Sequence, residues 1–556
     1  MKLSLPNIGY LAILVMLLPL KLKAQIEITY PQSRYIFQRN INNTASVPIA
    51  GNYSLVADKI EARAIARNMS PRQGTSTDWQ VLQENPQNGI FQGSIVLSGG
   101  WYDLIVRALK DNTIIGIDTL QRVGIGELFV VAGQSNATGD SELRSQNIFG
   151  PSSTDDRVHT VNYFNGASTT YSNTNLPLPI FENIDSTFRM SPMGNSAWCW
   201  GVLGDSLAKK LNVPIAFFNA GWSGSGIGSW ATTAEDTTAT PQEFITFPKG
   251  LPYGNLRSTL RFYAAQFGMR AVLWHQGESD NLFQTDRNTY GQKLKLVIQK
   301  SRIHARHPSL AWVVSRATRF KGLALVNSRN WQPVIDAQND IIGLNGNTQP
   351  NYMPNTFVGP FTDSLVGPNI RTIDSVHFKG HGIVVLANEW NKSLNSSFFQ
   401  NAIPLAHQNL PLIQSQCATI SSISLTTFNT FPQIHWSNDP FGLQVISRQN
   451  RYTLPSSNRI RAKIKDEYDN ILFSAQVAVP NNFAGLFPIQ SVRSGYWHDT
   501  NTWTCGRVPT SLDKITILGG HEVVVGNNLI ARFSTINLLG TLYFFDSGNL
   551  THIIQK

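Results

Sequence analysis

The sequence predicts an α/β domain built on a parallel sheet, with β-rich modules before and after it. Three observations predict this. The chain has 556 residues, more than one hydrophobic core organises, and its 42% apolar and 14% charged composition suits folded domains. Between about residues 127 and 396, apolar strand-like runs alternate with helical patterns, the order that builds a parallel sheet covered by helices. Outside that window the chain shows short alternating stretches broken by Gly, Asn and Pro, as in antiparallel β-modules.

The elements follow in order. Residues 1–24 read as a secretory signal: Lys2 supplies a short basic end, and Tyr10 to Leu20 is an apolar run too short to span a bilayer comfortably. Cleavage is expected after Ala24, which makes the protein secreted, periplasmic or displayed at the cell surface. Residues 25–124 then predict an N-terminal β-sandwich, with strands such as Lys59–Ala66 and Trp101–Ala108. Residues 125–398 form the predicted α/β domain. Its strands are Glu127–Ala132, Pro214–Asn219, Arg270–His275 and Ala311–Ser315. Its helices are Ala197–Leu211, Leu256–Phe267, Thr285–His307, Trp331–Ile342 and His381–Ser396. Residues 405–482 predict a second β-sandwich with strands Ile420–Thr426, Gln433–Trp436, Gln444–Ser447 and Arg459–Ile464. Residues 486–556 read as a turn-rich, then strongly β, C-terminal module.

Catalytic groups of open parallel sheets sit at the carboxyl ends of the strands. Four polar segments fall there. Gly133-Gln134-Ser135-Asn136 follows the first strand, where glycine permits a sharp turn that exposes a serine at the sheet rim. The same residues would also make a plain strand-to-helix cap. Asp374-Ser375-Val376-His377 places a carboxylate and an imidazole on one loop. The acid can fix the tautomer of His377, leaving the other ring nitrogen to accept a proton from Ser135. Trp274-His275-Gln276-Gly277-Glu278-Ser279-Asp280 follows the third strand. The Gln276 amide can donate to an oxyanion, whereas Glu278 reads as a buried carboxylate pinning the loop and His275 as a packed histidine. The glycine-rich run Asn219 to Trp230 can bring a backbone N–H close to a ligand; a flexible loop is the alternative.

In this order the four segments resemble the blocks of the sialate O-acetylesterase branch of the SGNH hydrolases, over about residues 126–396. The resemblance implies a flavodoxin-like three-layer α/β/α fold and hydrolysis of O-acetyl esters on sugars, 9-O-acetyl sialic acid among them. By position it implies Ser135 as nucleophile, His377 as base and Asp374 as orienting acid. The oxyanion hole falls to Ser135, Gly224 and Gln276, with Asn136, His275 and Glu278 in support. Gln276 stands where the wider superfamily has asparagine, and Ser223-Gly224-Ser225 departs from the double glycine of the branch. Weaker resemblances mark the flanks. Phe37-Gln38-Arg39 and Gly100-Trp101-Tyr102 are similar to the β-sandwich that often precedes such a domain. Trp436-Ser437-Asn438 resembles immunoglobulin-like modules of secreted proteins, and Ser494 to Pro509 resembles a β-rich repeat of surface proteins.

Composition narrows the function classes. The net charge is +10, and +7 once Lys2, Lys21 and Lys23 leave with the leader, and no dense basic block appears, so nucleic acid is not an expected partner. Cys199, Cys417 and Cys505 match no metal spacing and are read as structural. No metal or cofactor is expected. The expected partner is an acetylated carbohydrate, with the C-terminal modules serving attachment to a cell surface or polysaccharide. Two alternatives stand: an esterase of the same fold acting on acetyl xylan or another polysaccharide, and a non-catalytic carbohydrate-binding or adhesion protein.

Overall fold

The computed structural model describes residues 25–552, apart from 70, 141–145, 166–175, 244, 322–329, 456–457 and 547–548. The expected signal segment, residues 1–24, lies outside the described residues.

One strand organises the molecule. Thr113–Gly133 runs for 21 residues, and its burial changes halfway. Up to Arg122 its side chains are exposed or half-buried; from Val123 onward all are buried. The first half pairs antiparallel with Gly100–Lys110 in the N-terminal module. The second half is the centre of the parallel sheet, flanked by Ile215–Asn219 and Ala271–His275. The boundary expected between residues 124 and 125 therefore falls inside a single strand. The N-terminal module adds a second sheet of Ile26–Tyr30, Thr44–Tyr53 and Ile90–Ser98.

Across the α/β region the strand order is Phe181–Asn183, Val158–Val161, Ile215–Asn219, Thr113–Gly133, Ala271–His275, Ala311–Arg316, Thr356–Phe361. All these pairs are parallel except the first, which is antiparallel. From Thr113–Gly133 the chain first builds the strands on one side, returning inward to Ile215–Asn219, and then those on the other, so its carboxyl end is a topological switch point, where such sheets bind ligands.

Alternate residues of the central strands enter different core clusters, as strand geometry requires. Leu128, Val130 and Ala132 join Trp230 and Leu294 of the helices Ile227–Glu235 and Arg287–Ala305. Phe129 and Val131 join Leu203 and Trp390 of the helices Trp200–Leu211 and His381–Ser393. A buried ion pair anchors the amino end of the sheet. Glu127, wholly buried, accepts two bonds from Arg270 at 2.6 and 2.7 Å and one from Arg39 at 2.7 Å. The Gln38 amide bonds both Glu127 and Leu128, which explains the Phe37-Gln38-Arg39 signature.

Several sequence expectations need correction. The strands Val158–Val161, Phe181–Asn183 and Thr356–Phe361 were not anticipated. The glycine-rich run does not stay a loop, because the helix Ile227–Glu235 begins inside it. The segment Leu256–Phe267 is one helical run, but it starts at Tyr253 and passes through a π-helical stretch, Leu260–Ala264. Gln444–Ser447 forms no strand; Ser447 makes an isolated bridge to Trp436, and Arg451–Pro455 pairs instead with Ser422–Thr427.

Residues 413–478 form two small antiparallel sheets. Residues 489–546 pair in parallel, in two stacks of short strands. The Cys417–Cys505 disulfide joins these two regions, while Cys199 is a buried free thiol. Among the described residues no helix is long and apolar enough to cross a membrane.

Candidate active site

Gly133 ends the central strand with φ +131°, and a Cβ there would lie 2.0 Å from the carbonyl oxygen of His275. Only glycine lets the two strands approach so closely at this turn. The Gln134 N–H donates to that same carbonyl at 2.9 Å, and Ser135 opens a one-turn helix, Ser135–Thr138. The turn puts the Ser135 hydroxyl on the rim of a cleft of about 600 Å³.

His377 reaches it from the far end of the domain. Its Nε2 lies 2.8 Å from Ser135 Oγ, across 242 residues of sequence, and its Nδ1 lies 2.6 Å from Asp374 Oδ2. The other Asp374 oxygen accepts the N–H groups of Val376 (2.8 Å) and His377 (3.1 Å) and the hydroxyl of Thr372. The loop is tightly wound, with Ser375 in the left-handed region at φ +58°. Buried Arg371 bonds the carbonyls of Val376, Thr362 and Leu365, locking the loop against its neighbours.

The charges are tuned accordingly. Burial opposes ionisation of Asp374, but the hydrogen bond and charge of His377, with the Thr372 hydroxyl, win and hold the carboxyl well below its usual range. Burial alone would lower the His377 pKa; the hydrogen bond and charge of Asp374 overcome this and raise it above the ordinary imidazole value. The arrangement is a serine with a poised base, able to attack a carbonyl.

Asn136 assembles the site. Its amide nitrogen donates to Glu278 Oε1 (2.8 Å) and to the Val376 carbonyl (2.9 Å), and its oxygen accepts from Phe378 N–H at 3.4 Å. One buried side chain thus ties the serine turn, the segment after Ala271–His275 and the Asp-His loop together. Glu278 is buried; burial disfavours its charge, but His275 and Asn136 hold its pKa below the usual value. His275 packs edge-on to Phe378 with Nε2 3.4 Å from Glu278, and among the described residues neither ring nitrogen has a hydrogen-bond partner.

The expected oxyanion donors divide. Ser135 and Gly224 both line the cleft, and neither N–H has an acceptor among the described residues. Gly224 sits at φ +74°, and its loop is held by Trp222 N–H on the Gly133 carbonyl and by Ser223 on Thr138. Gln276 is a correction. It is fully buried, does not line the cleft, and its NH₂ group donates to Asp280 (2.6 Å) and the Ser225 carbonyl (3.1 Å). Tyr290 O–H donates to its oxygen at 2.9 Å, which fixes the orientation of the amide. Its hydrogens are committed to the scaffold.

Gln134, not Gln276, lines the cleft. The N–H groups of Gly277 (3.3 Å) and Ser279 (3.1 Å) both donate to one atom of its amide, so that atom is the oxygen. The NH₂ end has no acceptor among the described residues, and Gln134 is one of the residues that line the cleft. Sequence reasoning missed this residue because the groups that orient it lie some 140 positions away.

A serine hydroxyl hydrogen-bonded to an imidazole, beside convergent N–H groups at a sheet switch point, is the arrangement of a carboxylic ester hydrolase. Residues 125–347 match the family model described as "Carbohydrate esterase, sialic acid-specific acetylesterase". The match spans Ser135 and Gly224 and ends before Asp374. No curated protein matches the chain. Among solved structures, a carbohydrate acetylesterase from Xanthomonas citri is 13% identical, over 82% of this chain and 98% of its own, with a TM-score of 0.39. A protein from Arabidopsis thaliana is 16% identical, over 50% of this chain and 98% of its own, with a TM-score of 0.32. A salicylyl-acyltransferase from a tetracycline biosynthetic pathway is 8% identical, over 64% and 82%, with a TM-score of 0.26. All three likenesses are distant.

Proposed function

We propose that this protein is an exported serine esterase that removes O-acetyl groups from sugars, 9-O-acetyl sialic acid among its candidate substrates, through an acyl-enzyme. The observation that carries this reading is the continuous relay Asp374–His377–Ser135, at 2.6 and 2.8 Å, opening into the cleft. Export rests on the apolar leader, and a flavodoxin-like α/β/α layering is supported by the division of alternate strand residues between two cores. The flanking β-modules are proposed as attachment modules.

In the first step His377 Nε2 takes the Ser135 proton as Oγ attacks the acetyl carbonyl. Asp374 stabilises the imidazolium that forms. The N–H groups of Ser135 and Gly224, with the Gln134 amide, surround the developing oxyanion; one such donor is typically worth about 3–4 kcal/mol. His377 returns the proton to the departing sugar hydroxyl. Water then attacks the acetyl-serine by the same route and releases acetate.

The test is acetate release from acetylated sialic acids, acetyl xylan and 4-nitrophenyl acetate. Ser135→Ala is expected to keep the fold and lose hydrolysis of every ester, together with labelling by a serine-directed phosphonate. Full activity in that variant would remove Ser135 as nucleophile. Absence of hydrolysis and labelling in the wild type would leave the chain a binding protein.

A further inference from the structure

Gly224 lines the cleft as an oxyanion donor, yet packing does not hold it. It sits at φ +74°, and a Cβ there would meet no described residue within 4 Å. The direction of its N–H is therefore set by anchors on either side. Before it, Trp222 N–H donates to the Gly133 carbonyl and Ser223 bonds Thr138. After it comes Ser225, wholly buried. The Ser225 hydroxyl donates to the Trp222 carbonyl at 2.7 Å and accepts from the Trp230 indole at 2.8 Å, which closes the loop on itself. The Ser225 carbonyl accepts from the Gln276 amide at 3.1 Å.

Gln276 is itself held from several sides. Its NH₂ group also donates to Asp280 at 2.6 Å, its side-chain oxygen accepts from Tyr290 at 2.9 Å, and its backbone carbonyl accepts from Gln338 at 2.9 Å. Asp280 is buried in turn. The oxygen that accepts from Gln276 also accepts the Ile227 N–H at 2.9 Å, and the other oxygen accepts the Thr285 hydroxyl at 2.8 Å. Burial pushes the Asp280 pKa up to about 6, which leaves a carboxylate at neutral pH. Its bonds are charge-assisted, and so stronger than neutral ones. One acid and one amide thus grip the chain just past Gly224 twice, at the Ser225 carbonyl and at the Ile227 N–H.

Resting on the esterase reading above, we propose that Gln276 and Asp280 are positioning residues for the transition state: together they aim the Gly224 N–H at the oxyanion without touching the substrate. A donor of this kind works only if it is already oriented when the charge develops. A displacement of about 1 Å in such a group can cost about 100-fold in rate. Neither residue lines the cleft, so neither meets the bound ester in its ground state. Their loss therefore falls on kcat and not on KM.

The experiment measures kcat and KM on 4-nitrophenyl acetate, per mole of Ser135 labelled to completion by a phosphonate, and the inhibition constant of methylboronic acid. The boronate adduct of Ser135 is a tetrahedral anion that places an oxygen among the same donors. Gln276→Leu and Asp280→Leu are expected to lower kcat by about 10- to 100-fold, with KM within about threefold of the wild type. Affinity for the boronic acid should fall by the same factor as kcat. Asp280→Asn keeps the shape and one acceptor oxygen but not the charge, so it should lose only about 3- to 10-fold. Full kcat in Gln276→Leu overturns the proposal. So does a loss of kcat without a matching loss of boronate affinity, because the two residues would then only support the fold. Should the leucine variants fail to fold, Asp280→Asn decides alone, and unchanged kcat and boronate affinity in it are the overturning result. Failure of the wild type on 4-nitrophenyl acetate would be a failure of the esterase reading instead.

Discussion

The site contains two histidine–carboxylate pairs at the same sequence spacing, His275 with Glu278 and Asp374 with His377, and they differ in almost everything else. The His275 and Glu278 side chains are buried and 3.4 Å apart, and Glu278 is held by Asn136. The His377 side chain is 17% exposed, bonded to its acid at 2.6 Å, and turned toward a hydroxyl. Spacing alone does not make a catalytic pair. What separates them is whether the second ring nitrogen meets a nucleophile at the edge of solvent. In the first pair that nitrogen has no hydrogen-bond partner among the described residues, and the ring packs beside Phe378 and Trp390.

This contrast can be broken experimentally, beginning with the largest effect. His377→Ala should lower kcat/KM on 4-nitrophenyl acetate by about 10⁴-fold or more, because the serine loses its base. Asp374→Asn should cost about 10³- to 10⁴-fold. It should also move the acid limb of the pH profile. His377 must be neutral to accept a proton, and Asp374 raises its pKa against the opposing effect of burial. With the carboxylate gone, burial remains, the pKa falls, and the limb shifts to lower pH; an unmoved limb would mean that another group titrates there. Gln134→Met should lower kcat by about 10²-fold with little change in KM, as expected for a donor used mainly in the transition state. Glu278→Ala should act chiefly on stability, by about 1–3 kcal/mol in denaturant titration, since it removes one of the two acceptors of the buried Asn136 amide nitrogen. A loss of activity as large as that of Asp374→Asn would make the two pairs equivalent and undo the contrast.

Much of the Asp374–His377–Ser135 relay was legible because its signals are local. A glycine before a serine at the end of an apolar strand, and an acid three residues before a histidine, each describe one turn of backbone. The four long buried strands were legible for the same reason. Thr356–Phe361 was not, because Gly359 and Pro360 read as a turn, and proline is tolerated only at a sheet edge, which is where this strand lies. The helix Ile227–Glu235 hid behind its glycines. Its first N–H groups are satisfied from elsewhere in the chain, by Glu243 for Gly226 and Ser229 and by Asp280 for Ile227. The exchange of Gln276 for Gln134 follows the same logic. Sequence shows that an amide is present, and only its distant partners decide which end of it meets the substrate.

The unbroken strand Thr113–Gly133 has a consequence for how the enzyme holds its cargo. No hinge separates the outer module from the chemistry, because a single extended ribbon is hydrogen-bonded into both. The N-terminal module is then less a tethered passenger than a handle. A load applied to that module is carried along the ribbon to the turn that bears Ser135.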